Sequence, residues 1–227
     1  MNFKSIFTLF LAGLTAAAPA VLPVEPREVA PIDTTLEVRE PAALESRAVT
    51  KVEFASITAS GAGCPSGSYT VTISSNRDVG TIAFRSYNTN LGGVTTKDCT
   101  VTLTLTYPSG CTSGNLQAAY HGFVQVDSGA TGRVTASYTS STGNSANPPD
   151  STFSGGVWAP GNQWSRIDIA PAKVINRSPN DATVTARAAT RLTLTRTNNN
   201  AGGSLVADDI TFSIINQSRN SNWQTCT

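Results

Sequence analysis

The chain of 227 residues has little of what enzymes and metal proteins use at their sites. It contains one histidine, His121, so any Ser-His-Asp machinery would have to use it. The Gly-x-Ser-x-Gly motif of serine hydrolases does not occur. In Gly63–Gly67 and Gly110–Gly114 the serine is the fourth residue and not the third. No two cysteines have the close spacing that grips zinc, and no Asp-x-Asp-x-Asp-Gly loop is present for calcium. We therefore predict no catalytic residues, no metal site and no cofactor.

Long apolar runs are missing after the amino terminus. No later stretch approaches the roughly 18 apolar residues of a membrane helix, and we expect no membrane anchor. At the start, Lys4 is followed by the apolar run Ile6–Leu14 and then by small residues, which is the pattern of a secretory signal peptide. We assign residues 1–20 to this signal and expect a secreted protein, extracellular or associated with the cell wall.

Residues 21–50 lack glycine, cysteine and aromatic side chains, and they contain four prolines and six acidic residues. Such a segment cannot build a core, and we interpret it as a disordered linker or pro-segment. Residues 51–227 hold nine acidic and twelve basic residues, a net charge of +3. That charge is small and scattered, so the sequence does not favour nucleic acid as a partner.

What the chain does have is alternation of threonine with apolar residues. In the run Thr100–Tyr107, threonine alternates with Val, Leu, Leu and Tyr. A period of two indicates a strand with one apolar face and one threonine face, and similar runs recur between turn signals. We predict an all-β domain over residues 51–227, a single antiparallel β-sandwich of about 8–10 strands, jelly-roll-like or Greek key. A closed barrel is the alternative.

Four cysteines in a secreted chain indicate two disulfides. They are Cys64, Cys99, Cys111 and Cys226. Cys99 and Cys111 flank a strand whose ends lie about 25 Å apart, far beyond the reach of a disulfide, which disfavours pairing them.

The remaining choice depends on the arrangement of the strands. If the runs Tyr69–Ile73, Gly80–Tyr87 and Thr100–Tyr107 form a meander, the first two cysteines share one end of it. We therefore favour Cys64 with Cys99 and Cys111 with Cys226.

The segment Thr139–Arg166 is rich in Ser, Gly, Asn and Pro and carries Phe153, Trp158 and Trp164. Two tryptophans in such a segment can form a flat apolar platform on which sugar rings stack. In the other interpretation the tryptophans fold inward and cap an open end of the core. The sequence leaves both possibilities open.

Two further features bear on a hydrolytic function. On an unbroken strand His121 has the opposite parity to Tyr120 and Val124, which indicates a surface position or the other face of the sheet. Asp208 and Asp209 are adjacent, and adjacent residues on a regular strand point to opposite faces. They therefore form a poor pair for glycosidase chemistry, which needs two carboxylates on either side of one bond.

Two N-glycosylation sequons are present, at Asn176-Arg177-Ser178 and at Asn216-Gln217-Ser218. They carry meaning in a chain that passes through a secretory route. We predict glycans at Asn176, in a turn, and at Asn216, at a strand end.

The segments around the cysteines resemble a known family. The motifs are Gly61–Gly67, Lys97–Cys99 with the strand that ends Tyr107–Gly110, Tyr120–Phe123, Asp208–Phe212 and Trp223–Cys226. Over roughly residues 52–227 they are similar to the DUF4360 family of secreted proteins, common in fungi. The resemblance implies a compact, disulfide-bonded, secreted β-domain of unknown function, and it brings no catalytic residues. The family's third cysteine, in a Pro-Cys-Gly context, is missing here. If Cys111 replaces it, one bridge is re-routed.

These observations together predict a secreted, non-catalytic β-sandwich that associates with the cell wall or with carbohydrate, or acts in host interaction. Its partner would be a cell-wall polysaccharide or an extracellular protein. The alternative is a small secreted hydrolase of cell-wall polymers, for which His121 and Asp209 are the residues to test.

Overall fold

The computed structural model describes residues 51–108, 115–170 and 182–215. The predicted signal peptide and linker, Cys111, Cys226, Asn176 and Asn216 lie outside these ranges. No helix of the described residues is long and apolar enough to cross a membrane. The strands in chain order are β1 (Glu53–Ser60), β2 (Tyr69–Ile73), β3 (Val79–Phe84), β4 (Asn88–Asn90), β5 (Thr96–Tyr107), β6 (Asn115–Val126), β7 (Ala130–Ser140), β8 (Ser145–Ala146), β9 (Ser151–Ser154), β10 (Asn162–Ala170), β11 (Ala182–Arg196) and β12 (Gly203–Ile215).

The strands form two antiparallel sheets. Sheet 1 has the order β1-β5-β11-β7-β8, with β9 also paired to β7. Sheet 2 has the order β10-β6-β12-β3-β2, with β4 also paired to β12. The described chain thus confirms the predicted antiparallel β-sandwich. Three of its twelve strands have four residues or fewer, which leaves nine longer ones.

The core lies between the sheets and follows the alternation in the sequence. In β5 the apolar residues from Val101 to Tyr107 are buried, whereas the threonines between them remain partly exposed. Sheet 2 contributes Tyr120, Ile210 and Phe212 to the same continuous cluster. Full burial of an apolar side chain of this size stabilises the fold by about 1.5–3 kcal/mol. The same alternation leaves a face of threonines on the outside of sheet 1.

One disulfide joins Cys64 to Cys99, whose Cα atoms are 5.4 Å apart and whose side chains are fully buried. The cysteines meet because β1 pairs with β5, with Ser60 opposite Thr100. Beyond Ser60 the chain turns back over β5 at Gly61, where φ is +135°. A Cβ at Gly61 would stand 2.5 Å from the carbonyl oxygen of Asp98, so the close approach requires glycine.

The predicted meander, on which the choice of Cys64 with Cys99 depended, is wrong. β5 belongs to sheet 1, whereas β2 and β3 belong to sheet 2. The bridge therefore ties the loop after β1 to its own neighbouring strand and does not close one end of a three-stranded meander.

We expect the double variant Cys64→Ala, Cys99→Ala to lose up to about 4 kcal/mol of unfolding free energy, because the bridge closes a loop with a sequence separation of 35. Equilibrium unfolding in guanidinium chloride measures the change. Ser66→Ala, an exposed position in the same loop, is the control. An unchanged midpoint in the double variant would contradict a stabilising bridge.

A buried polar network spans the two sheets. Arg166 and Asp168 form an ion pair on the inner side of β10, with Nε and Oδ1 2.6 Å apart. The hydroxyl of Tyr138 donates to the other oxygen of Asp168 at 2.7 Å and also bonds the hydroxyl of Tyr120. Arg166 Nη1 donates to the carbonyl of Val134, while its Nη2 is buried without a partner among the described residues. The ion pair compensates the charges of Arg166 and Asp168 within the core. Each oxygen of the Asp168 carboxylate also accepts a hydrogen bond, which such a buried pair requires.

Burial raises the pKa of Tyr87, Tyr120 and Tyr138 above the ordinary value of 10.0. In the unfolded chain these hydroxyls ionise near pH 10, so their contribution to stability is present below about pH 10 and is lost as the pH rises above it. We expect the free energy of unfolding to fall steeply there, and tyrosinate absorbance of these residues to appear only with unfolding.

The control for this prediction is Tyr138→Phe. Removing one hydroxyl of the network should cost about 1–3 kcal/mol at neutral pH and reduce the slope of stability against pH above 10. Urea unfolding between pH 8 and pH 11 measures both. Ionisation of all the tyrosines near pH 10 in a protein that stays folded would contradict the assignment.

Candidate functional site

The aromatic segment that the sequence singled out forms a cap on the core. Trp164 is 4% exposed and Phe153 is 6% exposed, and Trp158 is partly buried against the same cluster. The ring of Phe153 stands edge-on to Trp158, at 5.0 Å between centroids, and lies 5.7 Å from Trp164. Trp164 donates from Nε1 to the carbonyl of Val206. These contacts describe an inward-facing aromatic cluster.

The interpretation of Phe153, Trp158 and Trp164 as a stacking platform is therefore wrong, and the rings fold inward instead. A stacking platform needs exposed ring faces, and two of the three rings have almost none. Trp164 lies against Gly122, where a Cβ would come within 2.1 Å of the carbonyl oxygen of Val206 and within 2.6 Å of the indole. The glycine in the Tyr120–Phe123 motif is thus explained by the close approach of the β12 backbone and of Trp164.

His121 lies on the outer face of sheet 2, with 54% of its side chain exposed. Its Nδ1 is 2.9 Å from Oδ1 of Asp209, the residue directly opposite on β12. On the other side, Ser165 of β10 is directly opposite His121. Serine, histidine and aspartate thus stand in one row across three strands. Among the described side chains there is no hydrogen bond between Ser165 and His121.

Asp208 and Asp209 do not follow the alternation assumed for a regular strand. The register between β12 and β6 shifts between Ala207 and Asp209, so Asp208 is the extra residue of a bulge. Asp208 is exposed, Asp209 is partly exposed, and Ala207 and Ile210 on either side are buried. The bulge thus re-aims Asp209 toward His121.

The outside of sheet 1 carries a second concentration of polar groups, which we call the threonine face. It consists of the outward-facing residues of β5, β11 and β7, which are Thr96, Asp98, Thr100, Thr102, Thr104, Thr106, Thr183, Thr185, Arg187, Ala189, Arg191, Thr193, Thr195, Thr131, Arg133, Thr135, Ser137 and Thr139. The face combines hydroxyl groups with three arginines. It exists because every second residue of these strands is committed to the core.

A groove of about 470 Å³ lies on the threonine face. Asp98, Arg191 and Thr135 form one row of its floor, opposite one another on β5, β11 and β7. Arg191 Nε donates to Oδ1 of Asp98 at 2.5 Å, and this bond raises the pKa of the guanidinium. Ala189 and Ser137 line the floor in the next row.

The wall of the groove comes from the connection between β8 and β9. Asn147, Pro148 and Asp150 of this connection line the groove. Arg133 reaches out from β7 and donates two hydrogen bonds to Oδ2 of Asp150. Proline fixes φ and so stiffens the wall, and the ion pair holds it over the threonine face.

The chemistry of this groove is that of a hydrogen-bonding site. Its lining offers carboxylate, amide, hydroxyl and guanidinium groups and no aromatic ring. The described residues contain no group of three or more His, Cys, Asp or Glu side chains that could hold a metal ion.

Sequence reasoning missed this groove. Asp98 and Arg191 are 93 positions apart, and only the pairing of β5 with β11 brings them together. The threonine alternation of Thr100–Tyr107 indicates the face itself, but the wall belongs to the segment Thr139–Arg166, whose aromatic residues suggested a different site. The prolines and the acidic Asp150 of that segment are the only features of the sequence that could have indicated a rigid, polar wall.

An antiparallel β-sandwich with a polar surface groove is the class that this geometry defines. The family model described as a domain of unknown function, DUF4360, matches residues 50–226. The chain belongs to this family. An uncharacterized secreted protein of Arthroderma benhamiae is 28% identical over 182 residues, which cover 78% of this chain and 73% of the relative.

Two solved structures are similar only in a loose sense. TmCBM61 in complex with β-1,4-galactotriose has a TM-score of 0.30 and 11% identity, over 72% of this chain and 91% of the other. The enzymatically active domain of bacteriophage CBA120 tailspike protein 4 has a TM-score of 0.22 and 12% identity, over 70% of this chain and 19% of the other. Likenesses this distant carry no argument about function, which has to come from the residues of this chain.

Proposed function

We propose that this protein is secreted and non-catalytic, and that it associates with cell-wall polysaccharide through the groove on the threonine face. The observation that carries the proposal is the row of Asp98, Arg191 and Thr135 on the floor of a groove of about 470 Å³. This volume is within the range of about 300–1,000 Å³ that is common for ligand sites. The secreted relative supports the extracellular location.

Polar side chains of this kind match the surface of a sugar. Each sugar hydroxyl can both donate and accept, so it satisfies a carboxylate oxygen on one side and a guanidinium N–H on the other. Asp98 and Arg191 are held by each other before a ligand arrives, which lowers the entropy lost on binding. Because no aromatic ring lines the groove, hydrogen bonds and not stacking would carry the affinity.

The test is retention of the purified full chain on insoluble chitin, β-glucan and cellulose. We expect retention on at least one polymer, and a loss of about tenfold in the double variant Asp98→Asn, Arg191→Gln, since it removes both charged hydrogen-bonding groups from a floor where solvent screens them. Asp98→Asn keeps the shape of the side chain, and Arg191→Gln replaces the guanidinium by a shorter, neutral amide.

The matched control is Asp78→Asn with Lys51→Gln. These residues form another ion pair, at 3.8 Å, between the segment just before β1 and the β2–β3 turn, both partly exposed and outside the groove. The proposal fails if the parent protein is retained on no polymer, or if the groove variant is retained as well as the control variant. Retention of an extracellular protein in place of a polymer would point to the other partner class.

A second candidate function, a small hydrolase, is favoured by the row of Ser165, His121 and Asp209 on sheet 2. In such chemistry aspartate orients the histidine through Nδ1, as here, and Nε2 takes the proton of the serine. This candidate predicts that a fluorophosphonate probe labels Ser165 and that His121→Ala abolishes the labelling. Ser137→Ala on sheet 1 is the control. A parent protein that takes up no probe and hydrolyses no wall polymer removes the candidate.

A further inference from the structure

A second depression adjoins the groove on the threonine face. It has a volume of about 330 Å³ and is lined by Thr139, Ser140, Ser141, Thr185 and Arg187. Arg187 is two residues from Ala189 of the groove, and Thr139 is two residues from Ser137, so each step along the strand is about 7 Å. The depression therefore continues the groove along β11 and β7.

Arg187 is the cation of this depression. Its neighbours in register are Thr102 on β5 and Thr139 on β7. Arg133 and Arg191 on the same face are paired with Asp150 and Asp98. In contrast, the side chain of Arg187 has neither an ion pair nor a hydrogen bond among the described residues, and no carboxylate lines the depression. The site thus combines a guanidinium that has its donors free with a ring of hydroxyl groups.

The hydroxyl side of the depression is held in place by the β7–β8 turn. The backbone N–H of Ser141 donates to the carbonyl of Thr185, and Ser141 Oγ accepts from the N–H of Thr185 at 3.1 Å. Ser140 and Thr142 share a further hydrogen bond between their hydroxyls. Two hydrogen bonds between Ser141 and Thr185 therefore hold the turn against β11. The depression is thus formed by contacts within the protein and needs no ligand to shape it.

We propose that this depression is an anion subsite that takes the carboxylate of a uronic-acid polysaccharide, whose neighbouring sugars lie in the groove. The inference deepens the proposed function and rests on it. A carboxylate can accept two parallel N–H bonds from a guanidinium, and hydroxyl donors of the turn can satisfy its remaining lone pairs. A neutral glycan would leave Arg187 without its counter-charge, so the subsite discriminates by charge.

The experiment compares polygalacturonate with fully methyl-esterified polygalacturonate, which has the same backbone without the charge. The parent protein should bind the acidic polymer more tightly than the ester, and added salt should reduce that preference. In Arg187→Gln the preference should fall by about three- to tenfold, because the guanidinium is exposed and its pairing is screened. Binding of the ester should stay unchanged.

Arg85→Gln is the matched control, since Arg85 is exposed and also has no ion pair among the described residues. Equal loss in both arginine variants would mean that net charge, and no subsite, attracts the polymer. Equal binding of acid and ester by the parent overturns the anion subsite but leaves the groove intact. Binding of neither polymer, nor of any wall polysaccharide, overturns the proposed function as well. Binding of dextran sulfate with no binding of polygalacturonate overturns the assignment to carboxylates.

Discussion

Burial of one side of every long strand is the constraint on which the rest of this molecule depends. The two sheets have no helix among the described residues to cover them, so each must turn one face toward the other. Strands β5, β11, β6 and β12 lie in the middle of their sheets and supply much of the cluster between them. Because the side-chain period is two, a slip of one residue would exchange the core for the threonine face. The register is therefore fixed by burial.

The outer faces inherit their chemistry from this constraint. Sheet 1 presents threonines and arginines, and sheet 2 presents the row of Ser165, His121 and Asp209. Local irregularities give each face a particular shape, since a bulge at Asp208 aims Asp209 at His121 and the connection after β8 builds the wall of the groove. Polar groups that must be buried pair with one another, as Arg166 does with Asp168.

The sequence allowed the strands to be predicted and left the site unresolved, for physical reasons. Alternation is a local property, so the strand Thr100–Tyr107 could be recognised without any partner. Which strands are neighbours depends on contacts across the chain, and for that reason the meander was wrong although Cys64 and Cys99 are bridged. The orientation of Trp164 depends on the space above Gly122, which no pattern encodes. The floor of the groove depends on the pairing of β5 with β11, which brings together Asp98 and Arg191 from positions 93 residues apart.

The wall of the groove has a consequence for how such a protein can diversify. It is made by one short connection, anchored to the sheet by Asp150 and Arg133, and none of Asn147, Pro148 and Asp150 belongs to the core. The wall of the groove and the core are thus carried by separate parts of the chain, whereas the floor lies on the outer side of the core strands. A different connection between the same strands would change the shape of the groove and leave the core contacts in place, so this surface can vary without destabilising the fold.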